Sequence, residues 1–149
     1  MKAHYARLSL CIFQLPVDGQ ALTFQDCAEQ FFRGQARLCA LASAAPLLCF
    51  QLKRYVFDVN TGVTHKCTAP VWFLETMLQV PVWQDADTLR VRQVPYQISA
   101  IAVHEGLTPN EGHYRSCLLH QGHYYVTDDG VRAKRAAPQM LETDRKSVV

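Results

Sequence analysis

The sequence lacks the patterns that mark several large classes of protein. Its 149 residues contain no cysteine pair with C-x-x-C spacing, so neither a zinc ribbon nor a thioredoxin-type motif is predicted. No apolar run approaches the roughly 18 residues that a membrane span requires. Fifteen basic residues against 13 acidic ones give a net charge of +2, too balanced to indicate nucleic acid or an anionic membrane as a partner. With 49% hydrophobic residues, the chain fits one globular domain or a piece of a larger one.

The cysteines that are present are spread singly and lie mostly among apolar neighbours, which is typical of buried free thiols. They are Cys11, Cys27, Cys39, Cys49, Cys67 and Cys117. The short apolar run near the N-terminus is interrupted by Gln14 and a turn-prone segment, residues 16–19, before it resembles a secretory signal. A reducing, intracellular environment is therefore predicted, cytoplasmic or nuclear.

The first half of the chain predicts two strands and one short helix. Alternating apolar residues indicate strands over 8–15 and 47–56. Between them, Thr23 and Asp26 resemble a capping box, apolar residues follow at helical spacing, and Gly34 stands where a helix could end. Residues 71–73 predict a further short extended piece, and residues 84–88 a polar loop.

From residue 96 onward the pattern favours β-structure. The predicted strands are 96–104, 114–120 and 123–128, with a loop over 105–112 and a turn at Gln121-Gly122. Several strands and few helices predict an α+β fold with a mainly antiparallel sheet and short helices.

The turn at Gln121-Gly122 determines which side chains meet. If these two residues form the whole loop, His120 faces His123 and Arg115 faces Asp128, and His113 becomes a diagonal neighbour of Asp128. Glutamine is a poor residue for a positive φ, however, so a three-residue loop with a bulge at Gly122 is an alternative. A one-residue slip would turn Asp128 away and bring Asp129 to this face.

An imidazole beside a carboxylate has the composition of a general base and its orienting group, because the carboxylate fixes the tautomer and stabilises the imidazolium. The alternative is structural: His beside Gly, and Asp-Asp-Gly after a strand, are common in turns. His120 and His123, which flank a tight turn without a third ligand nearby, are expected to face solvent rather than bind metal. His104 ends an apolar strand and is expected to be a hydrogen-bonded packing residue. No metal site and no cofactor are predicted.

Four blocks in order resemble one known family, the ubiquitin-specific proteases (USPs), which are papain-like cysteine deubiquitinases. The blocks are LLCFQLKRY at 47–55, TAPVWF at 68–73, YQISAIAVHEGLTPNEGHY at 96–114 and YYVTDDGV at 124–131. Together they cover residues 45–132, and the helix from Thr23 adds a weaker match. The resemblance implies that residues 1–149 are a single partial catalytic domain, the C-terminal palm without its N-terminal thumb. The polar and charged composition of the C-terminal end predicts a frayed tail over residues 133–149.

The resemblance also implies roles for particular residues. His113 matches the general base of the family, Asp128 the residue that orients it, and Asp129 a second acidic position that can assist. Gly112 and Tyr114 flank the histidine as in the family, where they help to line the channel for the ubiquitin tail. The implied reaction is hydrolysis of the isopeptide bond after the C-terminal glycine of ubiquitin, with ubiquitin or ubiquitinated proteins as partners.

Departures from the family pattern leave three functions open. No cysteine lies in a Gly-x-Thr-Cys-aromatic-x-Asn box, the cysteine pairs of the zinc-binding fingers are missing, and Thr127 replaces the usual aromatic residue. One hypothesis is a deubiquitinase whose cysteine-bearing thumb is encoded upstream. The second is an inactive ubiquitin-binding or scaffold protein, and the third is a different hydrolase that uses Cys117 or Ser116.

Overall fold

A computed structural model describes residues 12–17, 19–20, 22–34, 39–73, 77–85, 87–88, 90–108 and 110–136. Within these residues the chain order is β1 (Ile12–Pro16), β2 (Leu22–Thr23), α1 (Phe24–Arg33), β3 (Cys49–Lys53), β4 (Tyr55–Asp58), β5 (Val63–Lys66), β6 (Val71–Trp72), β7 (Met77–Asp85), β8 (Arg90–Gln97), β9 (Ala100–Thr108), β10 (Glu111–His120), β11 (His123–Asp128) and β12 (Val131–Arg135). One short helix and many strands confirm the predicted α+β class. This helix, ten residues long, is too short to cross a membrane, and the described residues contain no other.

The strands pair mainly in antiparallel fashion. β9, β10, β11 and β12 form one antiparallel sheet in the order β12-β11-β10-β9. β4 pairs antiparallel with β5, and β7 with β8. β1 pairs in parallel with β3, and β2 with β6. The prediction of a mainly antiparallel sheet is confirmed, and the sheet with four strands is the one that carries the candidate site.

The helix begins and ends where the sequence predicts. The Thr23 hydroxyl accepts a hydrogen bond from the Asp26 backbone N–H at 3.0 Å, and the Asp26 carboxylate accepts one from the Thr23 N–H at 2.8 Å. These two bonds form a capping box, which satisfies two backbone donors that a helix start leaves open. The Thr23 hydroxyl also donates a hydrogen bond to the same carboxylate at 2.7 Å, and this bond, together with that from the Thr23 N–H, lowers the pKa of Asp26. Gly34 closes the helix, because it adopts a φ of 52° that other residues rarely take.

The main core lies between α1 and the strands of the first two-thirds of the chain. Cys27, Ala28 and Phe32 project from the helix into it. Its other buried members come from extended segments: Leu15, Val17, Leu52, Val71, Leu78 and Val80. Among the described residues, β9 to β12 contribute nothing to this cluster. Their own buried apolar side chains are Ile101 and Cys117, together with Ala136 just after β12.

A polar contact joins the sheet of β9 to β12 to the β4–β5 hairpin. The Lys66 ammonium donates hydrogen bonds to the carbonyl oxygens of His104, at 3.3 Å, and of Gly106. The Tyr55 hydroxyl lies 3.0 Å from Nδ1 of His104, whose side chain is fully buried. Desolvation lowers the pKa of Lys66, and the positive charge of Arg54 lowers it further. Backbone carbonyls thus take the place of water around a partly buried cation.

Three features of the first 97 residues differ from the prediction. The strand predicted over 47–56 is two strands, interrupted at Arg54. The Arg54 guanidinium is buried and donates to the carbonyl oxygens of Cys67 at 3.1 Å and Ala69 at 2.6 Å. The β7–β8 hairpin was not predicted, since Pro81 and Pro95 obscure its alternation; as edge strands of a two-stranded sheet, both tolerate proline. The polar loop predicted from residue 84 begins later, because β7 continues to Asp85.

The other differences concern the C-terminal sheet and the cysteines. Strand β12 was not predicted, so the tail expected from residue 133 is wrong for residues 133–135, which lie in that strand; residues 137–149 lie outside the described residues. β9 and β10 also occupy most of the loop predicted over 105–112. Burial of the thiols holds for Cys27 and Cys117, whereas Cys39 and Cys49 are exposed. Cys11 and the start of the strand predicted over 8–15 lie outside the described residues.

Candidate active site

The turn between β10 and β11 consists of two residues. His120 pairs with His123, and the ladder continues regularly to Ser116 opposite Thr127. Gln121 and Gly122 have φ angles of 49° and 75°, the positive values of a type I′ hairpin turn. The predicted register is therefore confirmed, and the alternative with a three-residue loop is wrong. Tertiary pairing of the strands overrides the reluctance of glutamine to adopt a positive φ.

A second tight turn follows at once and places the two aspartates differently. Asp128 pairs with Val131, so Asp129 and Gly130 form the loop between β11 and β12, with φ angles of 21° and 72°. Asp-Gly is a favoured pair for such a turn. The turn chemistry of Asp-Asp-Gly and a place beside the histidine are therefore compatible: Asp128 ends the strand, and Asp129 begins the turn.

The histidine of strand β10 meets both carboxylates. Nε2 of His113 forms a close ion-pair contact with Oδ1 of Asp128, and Nδ1 lies 3.5 Å from Oδ2 of Asp129. The side chains of His113 and Asp128 are 39% and 35% exposed, whereas that of Asp129 is 81% exposed. Nε2 of His113 therefore contacts the less exposed carboxylate, Asp128, whereas Nδ1 points toward the more solvent-exposed Asp129. The three residues predicted as catalytic are brought together.

Electrostatics favour the protonated imidazole. The hydrogen bond with Asp128 is the main cause that raises the pKa of His113, and the charges of Asp128 and Asp129 raise it further. Partial desolvation and the positive charge of Arg115 act in the opposite direction. An imidazole in this setting can take a proton at Nδ1 and hold it as an imidazolium that Asp128 stabilises.

Arg115 extends the pair into a row of charges. Its Nε lies 3.2 Å from Oδ2 of Asp128, and its Nη2 lies 3.3 Å from Oε2 of Glu105 on β9. Nε is buried but makes no hydrogen bond of good geometry with a described residue, so its contact with Asp128 is an ion pair without a directed hydrogen bond. Glu105 stands directly opposite His113 in the β9–β10 ladder. The sequence predicted Arg115 opposite Asp128, whereas Glu105 was missed.

Gly112 precedes the histidine at a point where the backbone passes very close to a buried ring. The β9–β10 pairing shifts between Glu111 and His113, and Gly112 has a φ of 151°. A β-carbon at Gly112 would overlap the His104 imidazole and the Glu105 carbonyl. Gly106, across the hairpin, has equally little room beside the Glu111 carbonyl and the same imidazole. Gly112 is therefore required for the backbone path, and its role in substrate binding stays a prediction.

Tyr114 lies on the other face of β10 from His113, because successive side chains of a strand alternate. Its ring packs beside the His104 ring with centroids 4.7 Å apart, and much of it is exposed. His104 is the hydrogen-bonded packing residue that the sequence predicted. The contribution of Tyr114 to a channel for a peptide tail stays a prediction.

The three predicted catalytic side chains are also the group of described residues that could in principle hold a metal ion. One ligand atom each from His113, Asp128 and Asp129 lie within 4.8 Å of one another. The contacts of Asp128 with His113 and Arg115 already explain this convergence, and the guanidinium opposes a second cation at the same carboxylate. His120 and His123 are exposed, and Nδ1 of His123 lies 2.7 Å from the Arg135 guanidinium, a position that disfavours a metal cation.

The thiol and hydroxyl nearest in sequence are poorly placed to react. Cys117 shares the face of β10 with His113, but four residues of strand separate them by about 13 Å. Cys117 is buried, and desolvation raises its pKa, which disfavours the nucleophilic thiolate. Ser116 projects from the opposite face. The geometry is contrary to the hypothesis of a hydrolase that uses Cys117 or Ser116.

Comparison with known proteins decides the family. Residues 20–147 match the profile of the family described as "Ubiquitin carboxyl-terminal hydrolase". The chain belongs to the ubiquitin carboxyl-terminal hydrolase family. The resemblance to ubiquitin-specific proteases read from the sequence blocks is thereby confirmed.

The chain shares no more than 30% sequence identity with the following proteins of known structure or sequence. It is 30% identical over 95 residues to ubiquitin carboxyl-terminal hydrolase 48 of Danio rerio. The aligned region covers 62% of this chain and 9% of that protein. The fold is similar to chains in the Ubp8-Sgf11-Sgf73-Sus1 SAGA DUB module (TM-score 0.68, 18% identity) and in a yeast SAGA DUB module with an Sgf73 variant (TM-score 0.64, 16% identity). Each structural alignment covers 92% of this chain, but only 32% and 34% of the respective SAGA DUB module chain. The chain thus spans about a third of the length of these structural relatives, and less of the curated one.

Proposed function

We propose that the chain supplies the histidine and carboxylate half of a cysteine-type deubiquitinase, which hydrolyses the isopeptide bond after the C-terminal glycine of ubiquitin. The observation that carries this proposal is the contact of His113 Nε2 with Asp128, which leaves Nδ1 toward the open side. Membership of the ubiquitin carboxyl-terminal hydrolase family supports the same reaction. The proposed partners are ubiquitin and ubiquitinated proteins, and no cofactor takes part.

In the proposed reaction His113 acts as base and then as acid. With its proton on Nε2 and shared with Asp128, neutral His113 accepts the proton of a cysteine thiol at Nδ1. The thiolate attacks the glycine carbonyl carbon, and the imidazolium returns its proton to the departing lysine amine. Water, deprotonated by the same nitrogen, then releases the acyl group and restores the thiol. Asp128 stabilises the imidazolium, Asp129 adds negative charge beside Nδ1, and Gly112 and Tyr114 border the tail of the substrate.

The nucleophile in this proposal comes from outside these 149 residues. Two observations support this: no cysteine of the sequence has the neighbours of the family's nucleophile box, and the chain spans about a third of its structural relatives. A cysteine-bearing thumb would complete the site. The proposed location is inside the cell, cytoplasmic or nuclear, a setting that suits the unbridged thiols of Cys49, Cys67 and Cys117.

The second candidate function is an inactive ubiquitin-binding or scaffold protein. This function needs no nucleophile, which agrees with the position of Cys117 about 13 Å along β10 from His113.

Reaction with a ubiquitin that carries a C-terminal electrophile tests the proposal on the protein isolated as its own cells produce it. We expect a covalent adduct on a cysteine outside the chain, formed at least about 100-fold more slowly after His113→Gln, as loss of a general base predicts. His123→Gln, which changes an exposed histidine at the far turn, serves as the matched control and should leave the rate unchanged.

Other outcomes separate the candidates. Absence of an adduct together with ubiquitin binding in an NMR titration would favour the scaffold. Absence of both would reject the deubiquitinase and the scaffold alike. An adduct on Cys117 would restore the hypothesis that this chain carries its own nucleophile.

A further inference from the structure

The charged side chains on one face of β9, β10 and β11 form a continuous row. Glu105, Arg115, Asp128 and His113 follow one another with N···O separations of 3.3 Å or less. Glu105 is the most buried of them, with its side chain 14% exposed. Asp129, from the turn after β11, adds a second carboxylate near His113. These are the charged groups that face the imidazole from the described elements around it.

Two cations share the carboxylate of Asp128. Oδ1 faces His113, while Oδ2 faces Arg115. An arginine stays charged at every accessible pH, whereas the imidazole can lose its proton. Asp128 therefore interacts with the positive guanidinium at every pH. Because this charge also repels the imidazolium, protonated His113 is stabilised less than it would be in an isolated His–Asp pair.

Glu105 limits this effect. Its carboxylate engages the other end of the guanidinium, and it also stands opposite His113 in the ladder. The net charge of the row without the imidazolium proton is −1, from Glu105, Arg115 and Asp128. Removing the arginine would make it −2, and neutralising the glutamate would make it zero. The protonation of His113 should therefore respond to these two changes in opposite directions.

We propose that Arg115 is a positioning residue that acts on His113 through Asp128: it pairs with the second oxygen of the carboxylate and thereby limits how strongly that carboxylate retains a proton on His113. The negative charge of Glu105 offsets part of the positive charge of Arg115 and so weakens the effect of Arg115 on the protonation of His113. A general base is most effective when its pKa lies near the operating pH. This last consequence rests on the proposed function, whereas the effect on His113 itself does not.

NMR titration of the imidazole groups tests the proposal on the 149-residue chain, with the His113 signal assigned by its loss in His113→Gln. We expect Arg115→Met to raise the pKa of His113 by about half a unit, because a nearby positive charge is lost, and Glu105→Gln to lower it, because the guanidinium loses its second counter-charge. Arg115→Lys, which keeps the charge, should restore most of the original value. Arg92→Met removes an arginine of β8 instead and should leave the pKa unchanged.

A fall of the His113 pKa toward 6.5 in Arg115→Met would overturn the proposal, because it would mean that the arginine merely supports the fold of the hairpin. An unchanged value would overturn it as well. If Arg115→Met loses the dispersed amide spectrum of the folded chain, Glu105→Gln decides alone, and no shift in that variant rejects the idea. No ubiquitin and no nucleophile enter this titration, so its failure is distinct from failure of the proposed deubiquitinase activity.

Discussion

At the scale of single residues, Asp128 connects the chemistry of the site to the stability of the sheet. Its hydrogen bond with the imidazole is the main cause of the raised pKa of His113. A group whose pKa is higher in the folded than in the unfolded chain stabilises the fold below its unfolded pKa of about 6.5, and this contribution is lost as the pH rises through the folded value. The contact between His113 and Asp128 therefore stabilises the protein most in mildly acidic solution.

Substitution of Asp128 by Asn should remove this dependence on pH. We expect the pKa of His113 to fall toward its ordinary value, because the amide carries no charge to hold the imidazolium. Urea unfolding at pH 5.5 and at pH 8.5 measures the effect. The wild-type chain should lose more stability between these two pH values than Asp128→Asn does. Asp87→Asn, an exposed aspartate outside the site, is the control, and equal pH dependence in all three proteins would contradict the expectation.

The predictability of the site differed from residue to residue. The approach of His113 to Asp128 follows from a two-residue turn and the alternation of a strand, both of which are local. Arg115 opposite Asp128 follows from the same register. Glu105 was missed because the sequence predicts residues 105–112 as a loop, whereas β9 and β10 pair through most of them, with a shift of register at Gly112. Lys66 was missed because its partner His104 lies 38 residues away in sequence, and no local pattern indicates such a contact.

At the scale of elements, the β10–β11 hairpin contains one locally unfavourable residue. Gln121 adopts a φ of 49°, a left-handed conformation that costs a residue with a β-carbon about 1 kcal/mol or more. Asn-Gly is the preferred pair for this turn. Replacing Gln121 by Asn should therefore raise the free energy of opening the hairpin by about 0.5 kcal/mol or more.

Hydrogen exchange of the β10 and β11 amides checks the turn, with Gln121→Val as the opposing variant, because it measures local opening of the hairpin. A β-branched side chain tolerates positive φ poorly and should lower the free energy of opening the hairpin. A stabilising valine, or an asparagine that is no better than glutamine, would mean that the turn has another conformation in solution. His113 lies at the other end of β10, so the titration of its imidazole should be the same in both variants.

Elements were predictable where their causes are local. Helix α1 was predicted at both ends because a capping box and a glycine define it, and β11 was predicted residue for residue because two tight turns bound it. The division of residues 47–56 into β3 and β4 was not predictable. It depends on the buried Arg54 guanidinium, whose carbonyl partners lie 13 and 15 residues further along the chain.

At the scale of the whole molecule, the apolar core is divided unevenly. The main cluster belongs to α1 and to strands before residue 97, whereas the sheet with the candidate site is joined to the rest by the polar group of Tyr55, Lys66 and His104. An open groove of about 790 Å³ runs beside β3, β8 and the start of β9. Leu47 at its border is 76% exposed. Large apolar surface left open in this way destabilises an isolated chain or favours association.

We expect the 149-residue chain to unfold with low cooperativity. A thermal melt should be broader than a two-state transition allows, and a hydrophobic dye should bind before the main loss of structure, because the two parts share little apolar packing. Hydrogen exchange should be faster in β9 to β12 than in α1 and β7. A sharp two-state melt of a soluble monomer that binds no dye would show that the chain is self-sufficient.

The close approach of Gly106 and Gly112 to the His104 ring also bears on how the chain avoids misfolding. The space beside the ring admits no β-carbon at either position. If β10 slid along β9 by one residue, Glu111 or His113 would have to occupy the place of Gly112, and its β-carbon would collide with the imidazole. Without this collision the register shift would cost little free energy, because the sheet has few buried side chains. The shift would also turn His113 to the opposite face of the sheet. Two glycines and one buried ring thus favour the pairing register that places His113 beside Asp128.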